Sequence, residues 1–193
     1  MDKIIGSHDT MTYLTPKTWL QRIMNKFAKC QCLDYGKQIE AGAQVIDLRV
    51  YQKDGKWQFS HGEVQYKGGL DIYSVLDDCK EKYAGKLKFV RVIMEHCSNE
   101  TDAAQFSMMC KVIEAKYGDV FMFLGGYRKS DWKLLYDFKQ GNALPVYQFV
   151  SSMADDTSGL EQLVPETYAK NHNEENRAKT ELGINLFDFI GKY

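Results

Sequence analysis

Two histidines, one arginine and two aspartates stand in three short segments of the first third of the chain. His8 and Asp9 are adjacent, Asp47 and Arg49 are separated by one residue, and His61 is followed by a glycine. Two imidazoles can serve as general base and general acid, and a guanidinium can hold two oxygens of an anion such as phosphate. Each residue alone has an ordinary structural explanation, such as an internal ion pair of Asp47 with Arg49. The conjunction of all five predicts a site for acid–base chemistry.

Each of these segments falls at or just past the end of a predicted strand. Lys3–Ser7 reads as the first strand and ends beside His8. In the strand predicted at residues 44–51, alternation puts Asp47 and Arg49 on one face. An Asp54-Gly55 turn predicts a hairpin that returns His61 towards Arg49. Parallel barrels build their active sites at such strand ends.

The whole chain alternates short strand-like runs with helical periods, which predicts an α/β fold with a mostly parallel sheet. Only six or seven barrel strands can be found, and 193 residues fall short of the ~250 typical of a complete barrel. We therefore expect one domain over residues 1–193, a compact TIM-barrel-like (β/α) barrel that is incomplete or distorted. Residues 155–182 give no clear pattern, and the polar stretch 170–181 reads as solvated. Helices are expected at 19–27, 72–79 and 106–113, and further strands at 88–95, 120–124, 144–150 and 184–190.

Composition limits the classes of partner. The formal net charge is −1, so no basic field would attract nucleic acid. No apolar run approaches the ~20 residues that span a bilayer, and the start lacks the apolar region of a signal peptide. We expect a protein that stays in the cell, or a mature secreted chain. The five cysteines form no C-x-x-C and have no zinc-site spacing, so we expect free thiols packed as small apolar groups.

Four segments resemble the phosphatidylinositol-specific phospholipase C family. Residues 5–10, Ile-Gly-Ser-His-Asp-Thr, resemble its first-strand signature, and residues 38–50 resemble the stretch that ends Asp-Leu-Arg in that family. Ser60-His61-Gly62 falls at the expected distance for a second histidine, and residues 182–190 resemble the closing strand. The likeness covers residues 3–64 and 182–190 well, 88–99 fairly, and 120–180 weakly. Four motifs in order make the resemblance specific.

The resemblance implies a reaction and a set of roles. In the family the inositol 2-hydroxyl attacks the neighbouring phosphate, releasing diacylglycerol and an inositol cyclic phosphate, which makes the enzyme a phosphorus–oxygen lyase. By matching positions, the resemblance implies that His8 is the base and His61 is the acid. It implies that Asp188 orients His8 and that Asp9 orients His61. Arg49 would bind the phosphate, and Asp47 would orient Arg49 or the attacking hydroxyl.

The resemblance also bears on metals and on the headgroup. Arg49 occupies the position of a calcium ligand in eukaryotic relatives, so we expect the bacterial, metal-independent form, with no metal and no other cofactor. Glu95 departs from that form, because it falls in a segment like the eukaryotic calcium-binding one. We expect it to pair with Arg49 and to lie against the substrate. Arg128 and Tyr147 are candidate headgroup contacts by position alone.

The expected substrate is a phospholipid headgroup, met by a monomer in transient contact with a membrane surface. Trp19 matches the place of a membrane-touching aromatic, but we favour a structural role for it in the apolar stripe of its own helix. Two alternatives stay open. The chain could cleave a different polyol or glycerol phosphodiester, or it could bind inositol phosphates without turnover.

Overall fold

The computed structural model describes residues 2–95, 100–126, 134–137, 143–153 and 159–193. Nine strands of this part of the chain lie in one sheet. They are β1 (Lys3–Ser7), β2 (Val45–Lys53), β3 (Lys56–His61), β4 (Val64–Gln65), β5 (Phe89–Met94), β6 (Met122–Gly126), β7 (Leu134–Asp137), β8 (Ala143–Phe149) and β9 (Gly183–Phe187). The helices are α1 (Trp19–Ala28), α2 (Tyr35–Glu40), α3 (Ile72–Tyr83), α4 (Glu100–Tyr117), α5 (Leu160–Leu163) and α6 (Pro165–Ala178).

The sheet has the order β1-β9-β8-β7-β6-β5-β2-β3-β4, and a further pairing of β1 with β2 curls it back on itself. The pairs β1–β2, β1–β9, β2–β5, β5–β6 and β8–β9 are parallel. β7 is antiparallel to both neighbours, and β3 leaves β2 as an antiparallel hairpin. The prediction of a barrel-like α/β fold with fewer than eight parallel strands is confirmed.

Apolar side chains fill both sides of the curled sheet. Between the sheet and the helices, the outward-facing residues of β2 pack with buried residues of α3 and α4. A smaller cluster lies on the inner face, where Val45, Ile93 and Leu124 meet Val146, Ile184 and Leu186. Asp47 and Arg49 alternate with the outward-facing residues of β2, so they share the inner face with Val45. The polar centre of the sheet is therefore enclosed by its own strands.

α1 departs from the structural role we favoured for Trp19. The helix begins at Trp19 under a capping box formed by Thr18 and Gln21, and none of its residues is buried. Trp19 is 72% exposed, and the rest of its apolar stripe faces outward too: Leu20, Ile23, Met24 and Phe27. The stripe exists, but it covers no core. No helix in the described ranges is long and apolar enough to cross a bilayer.

Part of the unclear region 155–182 forms α6, and its polar stretch is only partly solvated. Asn173 is fully buried, and its Nδ2 donates a hydrogen bond to the backbone oxygen of Asp188 at 2.8 Å. Asn176 is buried as well and donates to the Tyr168 hydroxyl at 3.0 Å. A polar residue can be buried when its hydrogen bonds are made, which composition alone does not reveal.

Candidate active site

His8 stands just past the end of β1, buried between the carboxyl group of Asp188 and the guanidinium of Arg49. Its Nδ1 lies 2.8 Å from Asp188 Oδ1, and its Nε2 lies 2.6 Å from Arg49 Nη2. Because a guanidinium can only donate, Nε2 must accept and Nδ1 must carry the proton given to Asp188. Burial lowers the pKa of His8 well below its ordinary value, and the charge of Arg49 acts in the same direction. His8 is thus held as a neutral imidazole with a defined tautomer.

Parallel pairing places Asp188 beside His8. In the register of β1 with β9, Ser7 lies opposite Phe187, so the next residue of each strand is adjacent to the other. Gln31 holds both strand ends, because its Nε2 donates to the backbone oxygens of His8 and Phe187 at 2.9 Å each. Burial raises the pKa of Asp188 to about 8, although hydrogen bonds from Cys30 and the Ser151 backbone oppose the shift.

Arg49 is the centre of charge in the site. Its Nε lies 3.5 Å from Asp9 Oδ2 and 3.5 Å from Asp47 Oδ2, and its Nη1 lies 3.2 Å from Glu95 Oε1. Burial alone would lower its pKa, but the three carboxylates, Asp9 first, raise it above the ordinary value. The guanidinium therefore keeps a fixed positive charge beside His8.

His61 reaches the same place through the hairpin that the Asp54-Gly55 turn predicts. β3 pairs with β2 as far as Phe59 and then with β4, which leads His61 away from β2. Its Nδ1 lies 2.6 Å from the Ala28 oxygen and 3.0 Å from Asp9 Oδ2. Burial lowers the pKa of His61 to about 4, the charge of Arg49 acts likewise, and the Ala28 carbonyl opposes them. The His8 and His61 ring centroids are 6.0 Å apart.

Asp9 links the arginine to the second histidine through an unusual backbone conformation. Its φ is 44°, in the left-handed region that aspartate tolerates better than most residues. Its backbone N–H donates to Asp47 Oδ2 at 3.0 Å. Burial raises the pKa of Asp9 well above its ordinary value, against the opposing charge of Arg49. Strained conformations of this kind gather at functional sites.

The structure brings seven of the nine candidate residues together: His8, Asp9, Asp47, Arg49, His61, Glu95 and Asp188. Tyr147 is placed elsewhere. It alternates along β8 with Val146, which belongs to the inner cluster, so its exposed side chain points to the outer face. Arg128 lies outside the described residues.

Sequence reasoning missed two residues of the site. Arg91 is fully buried opposite Asp47 in the β2–β5 register, and its Nη1 donates to Asp47 Oδ2 at 3.1 Å. A lone charge in the apolar run 89–94 is the signal that could have revealed it. Cys30 was treated as packing, yet its Sγ lies 3.7 Å from His61 Nδ1. It comes from a loop, which no strand pattern places.

Within the described part of the chain, two clusters of ligand-type atoms could hold a metal ion, and both include Cys30. They are Asp9–Cys30–His61 and His8–Cys30–Asp188, with ligand atoms within 4.8 Å of one another. The carboxylates Asp9, Asp47 and Glu95 all contact Arg49 instead of surrounding an open space. That arrangement fits a hard ion such as calcium poorly, because calcium needs several oxygen ligands and a guanidinium provides none.

Among solved structures, the chain matches bacterial enzymes over nearly its whole length. A phosphatidylinositol-specific phospholipase C from Listeria monocytogenes aligns with a TM-score of 0.65 at 19% identity, over 99% of this chain and 89% of that one. This fold is similar to that of bacterial phosphatidylinositol-specific phospholipase C. A double mutant of the Staphylococcus aureus enzyme gives a TM-score of 0.68 at 15% identity, covering 98% and 86%. Another S. aureus structure, concerned with modulation of membrane binding, gives 0.62 at 16%, also covering 98% and 86%.

No protein-family model and no curated protein sequence matches the chain. At such low identity the structural likeness shows the fold alone.

Proposed function

We propose that the chain is a phosphodiesterase of the phosphatidylinositol-specific phospholipase C type that works without a catalytic metal. One observation carries the proposal. Two imidazoles lie 6.0 Å apart, each against the buried carboxyl group of an aspartate, with one guanidinium near both. A base, an acid and a cation for the phosphoryl oxygens are the groups that an internal transfer of a phosphodiester requires.

His8 is the proposed base. Its Nε2 carries a lone pair, and the proton on Nδ1 is held by Asp188, so deprotonating a hydroxyl would leave an imidazolium beside a carboxyl group. In the free protein Arg49 covers that lone pair. A substrate phosphate would attract the guanidinium to itself, which would free Nε2 to accept the proton of the attacking inositol hydroxyl.

His61 is the proposed acid. Its Nδ1 faces the Ala28 carbonyl and Asp9, which leaves Nε2 to protonate the leaving glycerol oxygen. The imidazole must first be protonated, and in the free protein its lowered pKa disfavours that. An anionic phosphate beside His61 would raise its pKa, so substrate binding itself would favour the acid form.

The leaving group has an apolar path next to His61. A groove of about 250 Å³ is lined by His61 together with Met24, Phe27, Ala28 and Val64. It joins the site to the exposed stripe of α1, which suits a lipid substrate held at a membrane surface. Glu95 lies beside Arg49 just past the end of β5, and for this reason we propose it as a contact for the ring hydroxyls of the headgroup.

The first prediction tests the imidazole pair with a fluorogenic inositol phosphodiester. Because base and acid each contribute to the transition state, His8→Ala and His61→Ala should each lose at least ~10²-fold in kcat. Wild-type activity should survive EDTA, since Arg49 supplies the positive charge. His172→Ala is the matched control, because His172 lies on α6 and pairs with Glu161.

Three outcomes would contradict the proposal: near-normal activity in either variant, loss in EDTA with recovery in calcium, or tight inositol phosphate binding without turnover. A glycerophosphodiester and a different polyol phosphodiester, assayed in parallel, determine whether the headgroup is inositol.

A further inference from the structure

Cys30 lies at the side of the site where His61 is held. Its Sγ is 3.7 Å from His61 Nδ1 and 3.5 Å from the Ala28 oxygen. The same Nδ1 is 3.0 Å from Asp9 Oδ2 and 2.6 Å from the Ala28 oxygen. Four donor groups therefore surround one small region: a thiol, an imidazole nitrogen, a carboxyl group and a carbonyl oxygen.

This donor set suits a borderline-soft divalent ion of the zinc class. Bonds of about 2.0 Å to nitrogen and oxygen and about 2.3 Å to sulfur, in tetrahedral geometry, place donor atoms roughly 3.3–3.7 Å apart. The two contacts of Cys30 Sγ already lie in that range. The contacts of His61 Nδ1 are shorter, so the ring would have to move outward by several tenths of an ångström. Thiolate and imidazole ligands select zinc over calcium and magnesium.

A buried oxygen and an entrance support the same location. Asp9 Oδ2 is buried and accepts no hydrogen bond from the described residues, although Arg49 and His61 lie near it. The His61 side chain is 22% exposed and lines the apolar groove, so an ion could enter past it. In the alternative cluster of Cys30 with His8 and Asp188, all three residues are buried.

We propose that Asp9, Cys30 and His61 bind a zinc-class divalent ion, with the Ala28 carbonyl as a fourth donor, and that the bound ion inhibits the enzyme. On binding, Cys30 releases its thiol proton to solvent and His61 moves its remaining proton from Nδ1 to Nε2. The ion and an imidazolium exclude each other, so His61 could not act as the acid. The inhibition rests on the function proposed above, whereas the binding does not.

Arg49 limits the strength of this site. Its Nε lies 3.5 Å from Asp9 Oδ2, and its fixed charge repels a cation held by the same carboxylate. Affinity should therefore be weaker than that of a structural zinc site, and inhibition should be reversible by EDTA. A chelator would then relieve inhibition in a zinc-exposed sample, which is the opposite of its effect on a metal-dependent phosphodiesterase.

The test uses Co²⁺ as a spectroscopic probe and Zn²⁺ for inhibition, on the chelator-treated full chain. Wild type should show the absorption band that a cobalt–thiolate bond gives, and Zn²⁺ should displace it. Cys30→Ser should lose the band, while Cys32→Ser, two residues away and part-exposed, should keep it. His61→Ala removes a part-exposed ligand and should weaken binding at least ~10-fold. Losing a residue that only hydrogen-bonds to a metal ligand already costs about that much, and losing the ligand itself should cost no less.

The outcomes separate the two proposals. A cobalt band that persists in Cys30→Ser, or that disappears in Cys32→Ser, would overturn the assignment of the site. Binding without inhibition of an active wild type would overturn the regulatory half. If no phosphodiester is cleaved at all, the band still reports whether the ion binds, so a failure of the proposed activity would be recognised separately. Circular dichroism of Cys30→Ser checks its fold, and His61→Ala keeps the site testable if that variant unfolds.

Discussion

The pKa values of the two site histidines determine how the activity should depend on pH. The pKa of His8 is lowered well below its ordinary value and that of His61 is lowered to about 4, mainly because the protein shields both rings from water. Activity through His8 is lost below its pKa, where the base is protonated. Activity through His61 is lost above its pKa, where the acid is deprotonated.

We therefore predict a bell-shaped profile of kcat/KM with its optimum below about pH 6.5, the ordinary histidine value. The alkaline limb of kcat should lie at higher pH, because bound phosphate raises the pKa of His61. Both parameters can be measured on a soluble phosphodiester across the acidic and neutral range. An optimum of kcat/KM on the alkaline side of neutrality would show that the free imidazoles are not shifted in this direction.

Arg91 of β5 belongs to the same network of charged residues through its contact with Asp47. It is fully buried and paired with Asp47, which in turn contacts Arg49 and the backbone of Asp9. Arg91→Met should destabilise the fold by about 3–5 kcal/mol, because the buried carboxylate of Asp47 would lose one of the positive charges that it is paired with. Lys116→Met is the control, since Lys116 pairs with Asp77 at the surface, where solvent screens the pair and its loss should change stability little.

Denaturant unfolding measures both variants. Similar small losses in the two would mean that the buried pair contributes no more than a surface pair does. If the Arg91→Met variant stays folded, its kinetics can be measured as well. A lower kcat with little change in KM would then show that Arg91 positions Asp47 and Arg49.

At the scale of the elements, β1 is closely packed against both of its neighbouring strands. Gly6 lies where β1 passes between β2 and β9, and a Cβ there would stand 2.6 Å from Val45 Cβ and 2.8 Å from Leu186 Cδ2. Gly6→Ala should therefore cost about 1–3 kcal/mol by overpacking. It should also lower kcat, because His8 and Asp188 follow on the same two strands. Gly85→Ala is the control, since its Cβ would meet nothing within 4 Å; equal urea midpoints would contradict the prediction.

The elements also show what the sequence could predict. β1 was predicted residue for residue, and β2 and β5 within one or two residues, because their apolar alternation and turn signals are local. Five of the seven converging site residues were predicted from strand ends, whereas Asp188 and Glu95 were implied by the resemblance to a known family. Tyr147 could not be assigned in the same way, because a shift of one residue along a strand reverses the face of every side chain. The exposure of the α1 stripe was also missed, since an amphipathic pattern does not say what covers its apolar face.

At the scale of the whole molecule, the exposed stripe and the site lie on one side. The groove at His61 is lined by Met24 and Phe27 of α1, and Gln21 of the same helix donates a hydrogen bond to the Glu63 backbone near β4. The formal net charge of −1 gives little general attraction to an anionic membrane. Docking through α1 would therefore depend on apolar contact and would bring the site to the lipid headgroups.

We predict that Trp19→Ala loses much of its activity on phosphatidylinositol vesicles and keeps its activity on a soluble inositol phosphodiester. Trp19 makes no buried contact, so the fold should be unaffected, whereas its apolar surface is the largest in the stripe. Leu182→Ala is the matched control, because Leu182 is 57% exposed but lies outside α1. Vesicle sedimentation at low and high salt should show binding that falls in Trp19→Ala and changes little with salt. Equal losses of activity on vesicles and on the soluble substrate would mean that Trp19 acts on the fold or on the chemical step. Vesicle binding that depends strongly on salt would mean that charged residues, and not the apolar stripe, hold the protein at the membrane.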